Sequence, residues 1–315
     1  MATYTKLDDI DLSAVAYHYG LGPIRLAPLP GGAANSSFRV TAASGSYVLT
    51  ILDNHDTAGA RRLAAHTQAL FLLGVPTSEV VPTVDGAPIT RLRGRGAVLK
   101  KWIEGTVRQP LPLAHLPAAG RMLAELHALP PASPGLADIP VATRRLTPQH
   151  QALITEFTDK EFAAWLTTHL DHVHTAEAAN PRTRRVVHGD FFDDNIVVRT
   201  DGGLSLLDWE TLTLDDPLLD LGAAAVGVGR EAGLLAPERL RALVSGYEQV
   251  APLSDADRAD LPMEITHAAL IIAFHRYRRH HIRFPDPRKS GYHMEMVTFV
   301  DSVAEGTRAL GGANG

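Results

Sequence analysis

The sequence predicts an α+β protein of two lobes, a small antiparallel-sheet lobe over residues 1–104 and a larger, mainly helical lobe over residues 105–315. Two observations support this class. The first third of the chain reads as three strands, a helix and two more strands, whereas helical patterns dominate afterwards. With 315 residues, the chain is also too long for one small core and suits two lobes.

Hydrophobic periodicity gives the elements of the first lobe. Apolar residues at three- and four-residue intervals predict helices over residues 9–19 and 58–73. Alternating or β-rich runs bounded by turn residues predict strands over residues 24–29, 37–42, 46–52, 84–92 and 96–103. Ser44-Gly45 is a turn signal, so the second and third strands should form a hairpin.

The second lobe is predicted from the same signals. Helical patterns cover residues 116–129, 156–174, 238–250 and 263–279. Short strands are predicted over residues 185–187, 195–198 and 204–207, and the proline-rich stretch 130–140 is predicted as a loop.

Composition excludes several classes of protein. The formal net charge of -5 argues against a general nucleic-acid binder, and the lack of cysteine removes disulfides and thiolate metal sites. The first residues lack the apolar core of a signal peptide, and no apolar run reaches the ~18 residues of a membrane span. We therefore expect a cytoplasmic protein without nucleic-acid or membrane partners; the oligomeric state is left open.

One ordered set of residues indicates phosphoryl transfer. The run His188-Gly189-Asp190 is followed by Asn195 five positions after the aspartate and by Asp208 eighteen positions after it. In the kinase template, such an aspartate orients the acceptor hydroxyl, while an asparagine and a second aspartate hold divalent metal ions beside a nucleoside triphosphate. This predicts Asp190 as the catalytic residue and Asn195 and Asp208 as Mg²⁺ ligands. The cofactors are then ATP and Mg²⁺.

A glycine-rich segment between two predicted strands is the candidate phosphate-covering loop. Glycine lets the backbone approach a phosphate closely, and side-chain donors add hydrogen bonds. The predicted nucleotide contacts in this loop are Gly31, Gly32, Ala33, Asn35 and Ser36.

The lysine that kinases carry in the following strand is absent. Thr50 stands at that place and is a predicted nucleotide contact. Neither Lys100 nor Lys101 is obviously placed to take over the role of the missing lysine. Adenine is expected at the end of the last strand of the lobe, against backbone groups near Lys101 and Ile103 and the ring of Trp102. Trp102 reads equally well as a core aromatic residue.

At these residues the sequence resembles the homoserine kinase branch of the aminoglycoside/choline-kinase-like phosphotransferases. The resemblance rests on Asn35-Ser36-Ser37-Phe38, Tyr47-Val48-Leu49-Thr50 and residues 242–252, and that branch also carries threonine where other kinases have lysine. It implies a bilobal protein-kinase-like fold, ATP and Mg²⁺, and transfer to a hydroxyl of a small molecule. Gly189 and Trp209-Glu210 look more like antibiotic and amino-sugar kinases.

The chain between Asp208 and Asp216 is too short for the activation segment with which protein kinases dock a peptide, which favours a small-molecule acceptor. Asp193 and Glu210 suit an ammonium group on that acceptor or are solvated loop acids. Arg276, near the end of a basic helix, suits a carboxylate or serves the helix terminus. Homoserine is the first choice, an aminoglycoside, peptide antibiotic or amino sugar the second. A catalytically weak protein that binds nucleotide or metabolite is the third.

Overall fold

A computed structural model of the chain describes residues 5–30 and 35–308. The chain divides into two compact units. Unit 1 holds the described parts of Met1–Thr106 together with Pro134–Ala137 and Val197–Glu210, and unit 2 holds the remainder. The predicted α+β class, with an antiparallel sheet followed by a mainly helical part, is confirmed. The division of nucleotide and acceptor roles between residues 1–104 and 105–315 stays a prediction.

The elements are named in chain order. The first are α1 (Leu12–Tyr19), β1 (Ile24–Pro28), β2 (Ser36–Ala42), β3 (Gly45–Leu52), α2 (Thr57–Leu72), β4 (Val80–Val81), β5 (Thr90–Leu92), β6 (Arg95–Lys101) and β7 (Gly105–Val107). Next are α3 (Leu116–His127), α4 (Pro148–Ile154), α5 (Lys160–Ala179), β8 (Arg185–Val187), β9 (Ile196–Arg199), β10 (Leu204–Leu206), β11 (Thr213–Asp215) and α6 (Pro217–Val228). The last are β12 (Arg230–Glu231), β13 (Leu234–Leu235), α7 (Pro237–Glu248), α8 (Asp255–Tyr277), a π-helical turn (Arg278–Arg283) and α9 (Met294–Thr307).

The main sheet of unit 1 is antiparallel, with strand order β1-β2-β3-β6-β4 and β5 also paired with β6. In its centre, Val48 lies opposite Lys100 and Thr50 opposite Val98. Side chains alternate between the two faces of a strand, so these four residues share one face. Val98 packs there in a core cluster with residues of α2, while the other face packs against α1.

Helix starts in the structure follow their capping residues rather than the apolar pattern alone. The side chain of Asp159 accepts the N–H of Phe162, so α5 begins at Lys160, later than the predicted residue 156. The side chain of Ser254 caps α8, which begins at Asp255 and runs through Pro262. The predicted start at residue 263 is wrong, since the helix already begins at its cap and continues through the proline.

The predicted strand over residues 84–92 is wrong for most of its length. Only Thr90–Leu92 pairs with β6. The preceding residues form a turn in which the side chain of Thr83 accepts the N–H of Ala87, and Gly86 has a φ of 82°. A local side-chain hydrogen bond therefore takes the place of strand pairing. The sequence also failed to predict α4, α9 and the short strands β4, β7, β11, β12 and β13.

Unit 2 is built on helix pairs, α3 against α7 and α6 against α8. The first pair crosses where both helices carry glycine. A Cβ at Gly120 would lie 1.9 Å from the carbonyl oxygen of Leu243, and one at Gly246 would lie 1.9 Å from that of Pro117. This backbone contact fixes the first turns of α3 against α7, and His127 is the last residue of α3. No helix among the described residues is both long and apolar enough to cross a membrane.

Candidate active site

The loop after β8 carries the predicted catalytic aspartate in unit 2. His188 is fully buried, and its Nδ1 accepts the N–H of Asp190 at 3.2 Å. The N–H of Phe192 in turn donates to the carbonyl oxygen of Asp190 at 2.9 Å. The loop is therefore tight, and the Asp190 side chain stays 37% exposed. This arrangement keeps the carboxylate accessible to a ligand while its backbone is fixed.

A buried carboxylate supports this loop from α6. Asp220, 3% exposed, accepts the N–H groups of His188 at 2.9 Å and Gly189 at 2.8 Å. It is also 3.0 Å from Nε2 of His127, whose Nδ1 is 2.8 Å from the hydroxyl of Tyr247. Burial raises the pKa of Asp220, but the bond to His127 and the nearby charges outweigh it and lower the pKa. The carboxylate is thus held ionised as a structural anchor.

Gly189 has a backbone conformation that favours glycine. Its φ is 79°, in the left-handed region that L side chains rarely adopt. A Cβ there would lie 2.9 Å from the carbonyl oxygen of Thr211 and 3.0 Å from Cγ of Arg144. The glycine before Asp190 is therefore required by the local backbone.

Asn195 lies at the end of the 3₁₀ turn Asp193–Asn195. Its amide NH₂ donates to the carbonyl oxygen of Asp190 at 2.9 Å and to the carboxylate of Asp190 at 3.3 Å. This leaves the amide oxygen as the ligand atom that Asn195 can offer. Oxygen ligands of this kind are what Mg²⁺ prefers.

A cationic side chain lies beside Asp190 within unit 2, and an imidazole interacts with that cation. The guanidinium of Arg144 is 3.7 Å from the Asp190 carboxylate, and both side chains are partly exposed. Burial, together with the charges of Arg144, His150 and Arg278, lowers the pKa of His275 to about 3. His275 is therefore neutral at physiological pH and adds no positive charge next to Arg144.

In unit 1, the turn after β10 presents two acids on either side of a buried tryptophan. Trp209 is 3% exposed, and its Nε1 donates to Oγ1 of Thr77 at 2.9 Å. Asp208 is exposed and has a φ of 62°, a left-handed conformation that costs energy for a residue other than glycine. The buried ring anchors the turn, and the strained residue is the predicted metal ligand.

The other acid, Glu210, is tied to the predicted phosphate loop. The amide NH₂ of Asn35 donates to the Glu210 carboxylate. Ser36 donates its hydroxyl to the carboxylate of Asp53 at 2.6 Å. The remaining loop contacts that the sequence predicts, Gly31, Gly32 and Ala33, lie outside the described residues.

The predicted adenine contacts lie at the end of β6 and directly after it. Lys101 is exposed and pairs with Glu79 at 2.6 Å, while its N–H donates to the Glu79 carbonyl oxygen. The guanidinium of Arg39 lies 4.4 Å from the centre of the Trp102 ring, so one face of that ring already carries a cation–π contact. Ile103 directly follows and is half-buried. Their roles in binding adenine stay predictions.

The predicted acceptor residues Asp193 and Arg276 lie near a third residue, Arg230. Gln109 donates to the Asp193 carboxylate at 3.2 Å, and Arg276 pairs with Glu295 at 2.8 Å. Burial, followed by the charge of Arg276, lowers the pKa of Arg230, and the charges of Glu295 and Asp193 oppose this. Nε of Arg230 is buried without a hydrogen-bond partner. The sequence did not predict Arg230, because an arginine in a two-residue strand carries no motif.

A family model for the APH phosphotransferase enzyme family matches residues 25–253. The chain belongs to this family. It is therefore a phosphotransferase of the small-molecule kinase type, which confirms the predicted class of enzyme. The family match spans both units, including β1 to α7.

Among relatives, homoserine kinase of Caulobacter vibrioides is 28% identical over 285 residues, covering 86% of this chain and 87% of its own. Homoserine kinase of Methylocella silvestris is 28% identical over 281 residues, with coverages of 88% and 87%. The predicted resemblance to homoserine kinases is thus confirmed.

Solved structures share the fold. A spectinomycin phosphotransferase with bound ADP and spectinomycin superposes with a TM-score of 0.68 at 15% identity, covering 95% of this chain and 97% of its own. Amicoumacin kinase with AMP-PNP, Ca²⁺ and its antibiotic gives 0.68 at 16% identity, with coverages of 95% and 93%. A microcompartment-associated aminopropanol kinase gives 0.66 at 17% identity, with coverages of 95% and 96%. At these identities the similarity shows the fold alone, and it confirms the predicted kinase-like fold.

Proposed function

We propose that the chain is an ATP- and Mg²⁺-dependent homoserine kinase. Asp190 orients the acceptor hydroxyl for attack on the terminal phosphate. The hydrogen bonds from the Asn195 amide NH₂ to Asp190 carry the proposal. Because they engage the nitrogen, the amide oxygen is the atom that can bind a metal ion. Asn195 and Asp208 each offer a hard oxygen ligand of the kind that Mg²⁺ favours, and Mg²⁺ would neutralise charge on the phosphates. Two solved structures that share the fold contain ADP or AMP-PNP, which supports ATP as the phosphate donor.

The charge near Asp193 favours a zwitterionic acceptor. Asp193 lies three residues after Asp190 in the same loop, where its carboxylate suits an ammonium group. Arg230 and Arg276 are close enough for their charges to interact, and the Nε of Arg230 has no partner. Two guanidiniums suit the carboxylate of an amino acid. Homoserine carries the ammonium, carboxylate and hydroxyl groups that this set of residues would recognise.

An antibiotic acceptor has weaker support from the local contacts. Trp209 is a buried anchor of its turn, and the Glu210 carboxylate already binds Asn35. A polycationic aminoglycoside would also have to approach Arg144, which lies beside Asp190. We accordingly propose that Glu210 binds Asn35 of the phosphate-covering loop and does not contact the acceptor.

The test is an ADP-release assay with MgATP and a panel of hydroxyl compounds. The deciding pair is homoserine and 3-aminopropanol, which is homoserine without its carboxylate. We expect saturable release with homoserine, and a KM for 3-aminopropanol higher by about 10- to 100-fold, because one charge-assisted contact is worth ~1.5–3 kcal/mol.

Two variants test whether Arg230 binds the carboxylate of the acceptor. Arg230→Met should raise the KM for homoserine and leave the KM for 3-aminopropanol unchanged, whereas exposed Arg288→Met in the same unit should change neither. Release only with an amino sugar or antibiotic would replace homoserine as the acceptor. ATP binding without release across the whole panel would contradict the proposed activity and favour a nucleotide-binding protein.

A further inference from the structure

The absence of a lysine in β3 leaves the phosphate charge without its usual partner. Thr50 stands there and is 7% exposed. Unit 1 contains three lysines, Lys6, Lys100 and Lys101. Lys101 is exposed and already paired with Glu79, and Lys6 is exposed near the start of the chain. Lys100, on the neighbouring strand β6, is the remaining candidate.

Strand register brings Lys100 to the face of the sheet that carries Thr50. Thr50 lies opposite Val98, and Lys100 is two residues beyond Val98 on the same face. Diagonal neighbours of this kind in an antiparallel pair are ~7–8 Å apart, within reach of a long side chain. The ammonium of Lys100 can therefore occupy the space that a lysine at position 50 would use.

Lys100 also has the acidic surroundings of a phosphate-binding lysine. Burial lowers its pKa, while the charges of Asp208 and Glu210 oppose that shift. In the usual kinase, the lysine pairs with a glutamate of the helix after β3. The helix α2 has no acid, and its Gln68 is used to accept the N–H of Val80 at 2.8 Å. The acids beside Lys100 come from the turn after β10 instead.

We propose that Lys100 supplies, from β6, the ammonium that binds the phosphates of the nucleotide, in place of the lysine that kinases carry on β3. A lysine acts on phosphate as a compact point charge, so the direction from which it approaches matters less than its position. The inference rests on the proposed ATP-dependent activity. It assigns the phosphate-binding role to a residue that the chain's motifs do not indicate.

The experiment tests whether a lysine at position 50 of β3 can replace Lys100 of β6. Lys100→Met, Lys6→Met and the double variant Thr50→Lys/Lys100→Met are compared with wild type by calorimetric titration with MgADP and, separately, with adenosine. Lys100→Met should weaken MgADP binding by about 10- to 100-fold, the worth of one hydrogen bond to a charged group. Adenosine binding should stay unchanged in this variant. The double variant should regain at least tenfold in MgADP affinity, and Lys6→Met should match wild type for both ligands.

The midpoint of thermal unfolding shows that each variant is folded; Lys100→Met should unfold at or above the wild-type temperature, since a buried ammonium is removed. Unchanged MgADP affinity in Lys100→Met, or an equal loss for adenosine, would overturn the role of Lys100. Wild-type turnover is measured in parallel. A wild type that binds nucleotide without turnover would instead contradict the proposed kinase activity, so the two failures are distinguishable.

Discussion

The carboxylates of Asp220 in unit 2 and Asp208 in unit 1 differ in how their charge is compensated. Asp220 is buried and accepts hydrogen bonds from two backbone N–H groups and faces His127. Asp208 is exposed and in a strained conformation, accepts one backbone N–H, that of Glu210, at 3.3 Å, and interacts with Lys100 through longer-range charge. A charge satisfied by the fold should contribute to stability, whereas a charge left to a ligand should contribute to binding.

Arg182 is another residue of unit 2 whose charge is compensated by the fold. Its guanidinium contacts four carboxylates, those of Asp216, Asp257, Asp260 and Glu264. Asp216 in turn caps α6, the helix that carries Asp220. The support of the catalytic loop therefore continues into a network of ion pairs around the start of α6. Replacing these residues should lower the free energy of unfolding more than it changes ligand binding.

The largest expected effect separates catalysis from stability at Asp190. Asp190→Asn should reduce kcat for the preferred acceptor by about 10²- to 10⁴-fold, the usual contribution of a positioned general base. ATP affinity and the free energy of unfolding should stay close to wild type, because the side chain is exposed and its backbone bonds remain. Single-turnover kinetics and urea unfolding measure these quantities. Retained kcat would remove Asp190 from its proposed role.

The second prediction tests the comparison directly. Asp220→Ala should lower the free energy of unfolding by about 3–5 kcal/mol, because it leaves buried N–H groups and His127 without their partner. Asp208→Gly should change it by less than about 1 kcal/mol, or raise it, since glycine adopts a positive φ freely. Mg²⁺-dependent turnover should be lost in Asp208→Gly. Equal destabilisation by both variants would show that the two carboxylates do not differ in this way.

The sequence could predict the local structure around the candidate catalytic residues because these residues lie in short, contiguous segments at fixed spacing. Asp190 and Asn195 share one tight loop, whose internal hydrogen bonds depend on residues in that loop. The buried Asp220, from α6, accepts two N–H groups of this loop, and it follows the cap residue Asp216 by four positions.

Residues that depend on register or on long-range packing could not be predicted in this way. Lys100 could not be singled out, because the sequence does not give the pairing of β3 with β6. Arg230 lies more than thirty residues from Asp193 in sequence, and only the packing of unit 2 brings their charges together. Local turn chemistry was also missed at Thr83, where a side-chain hydrogen bond replaces strand pairing.

The third prediction uses acid to weaken the ion pairs of unit 2. Burial raises the pKa of Glu177, but His267 and Arg145, at 3.2 and 2.6 Å, outweigh it and lower the pKa to about 2. The folded pKa is below the unfolded value of 4.5, so this stabilisation is present above about pH 4.5 and is lost as the pH falls towards 2. Between pH 7 and pH 3, Glu177→Gln should therefore lose less stability than wild type, by on the order of 2 kcal/mol.

The control for this experiment lies on the same helix. Glu161 is exposed in the first turn of α5, so Glu161→Gln should keep the wild-type dependence on acid. Urea unfolding at the two pH values gives the difference for each protein. The same acid dependence in Glu177→Gln and wild type would mean that Glu177 is not held ionised by its neighbours.

The smallest expected effect separates backbone strain from crowding at the catalytic loop. Gly189 and Gly202 have φ values of 79° and 83°, and a Cβ at Gly202 would meet nothing within 4 Å. Gly202→Ala should therefore lower stability by about 1 kcal/mol through conformation alone. Gly189→Ala should cost about 2 kcal/mol, since its Cβ also approaches Thr211 and Arg144, and it should lower kcat by displacing Asp190. Equal unfolding free energies and equal kcat values in the two variants would show that the loop relaxes around an added methyl group.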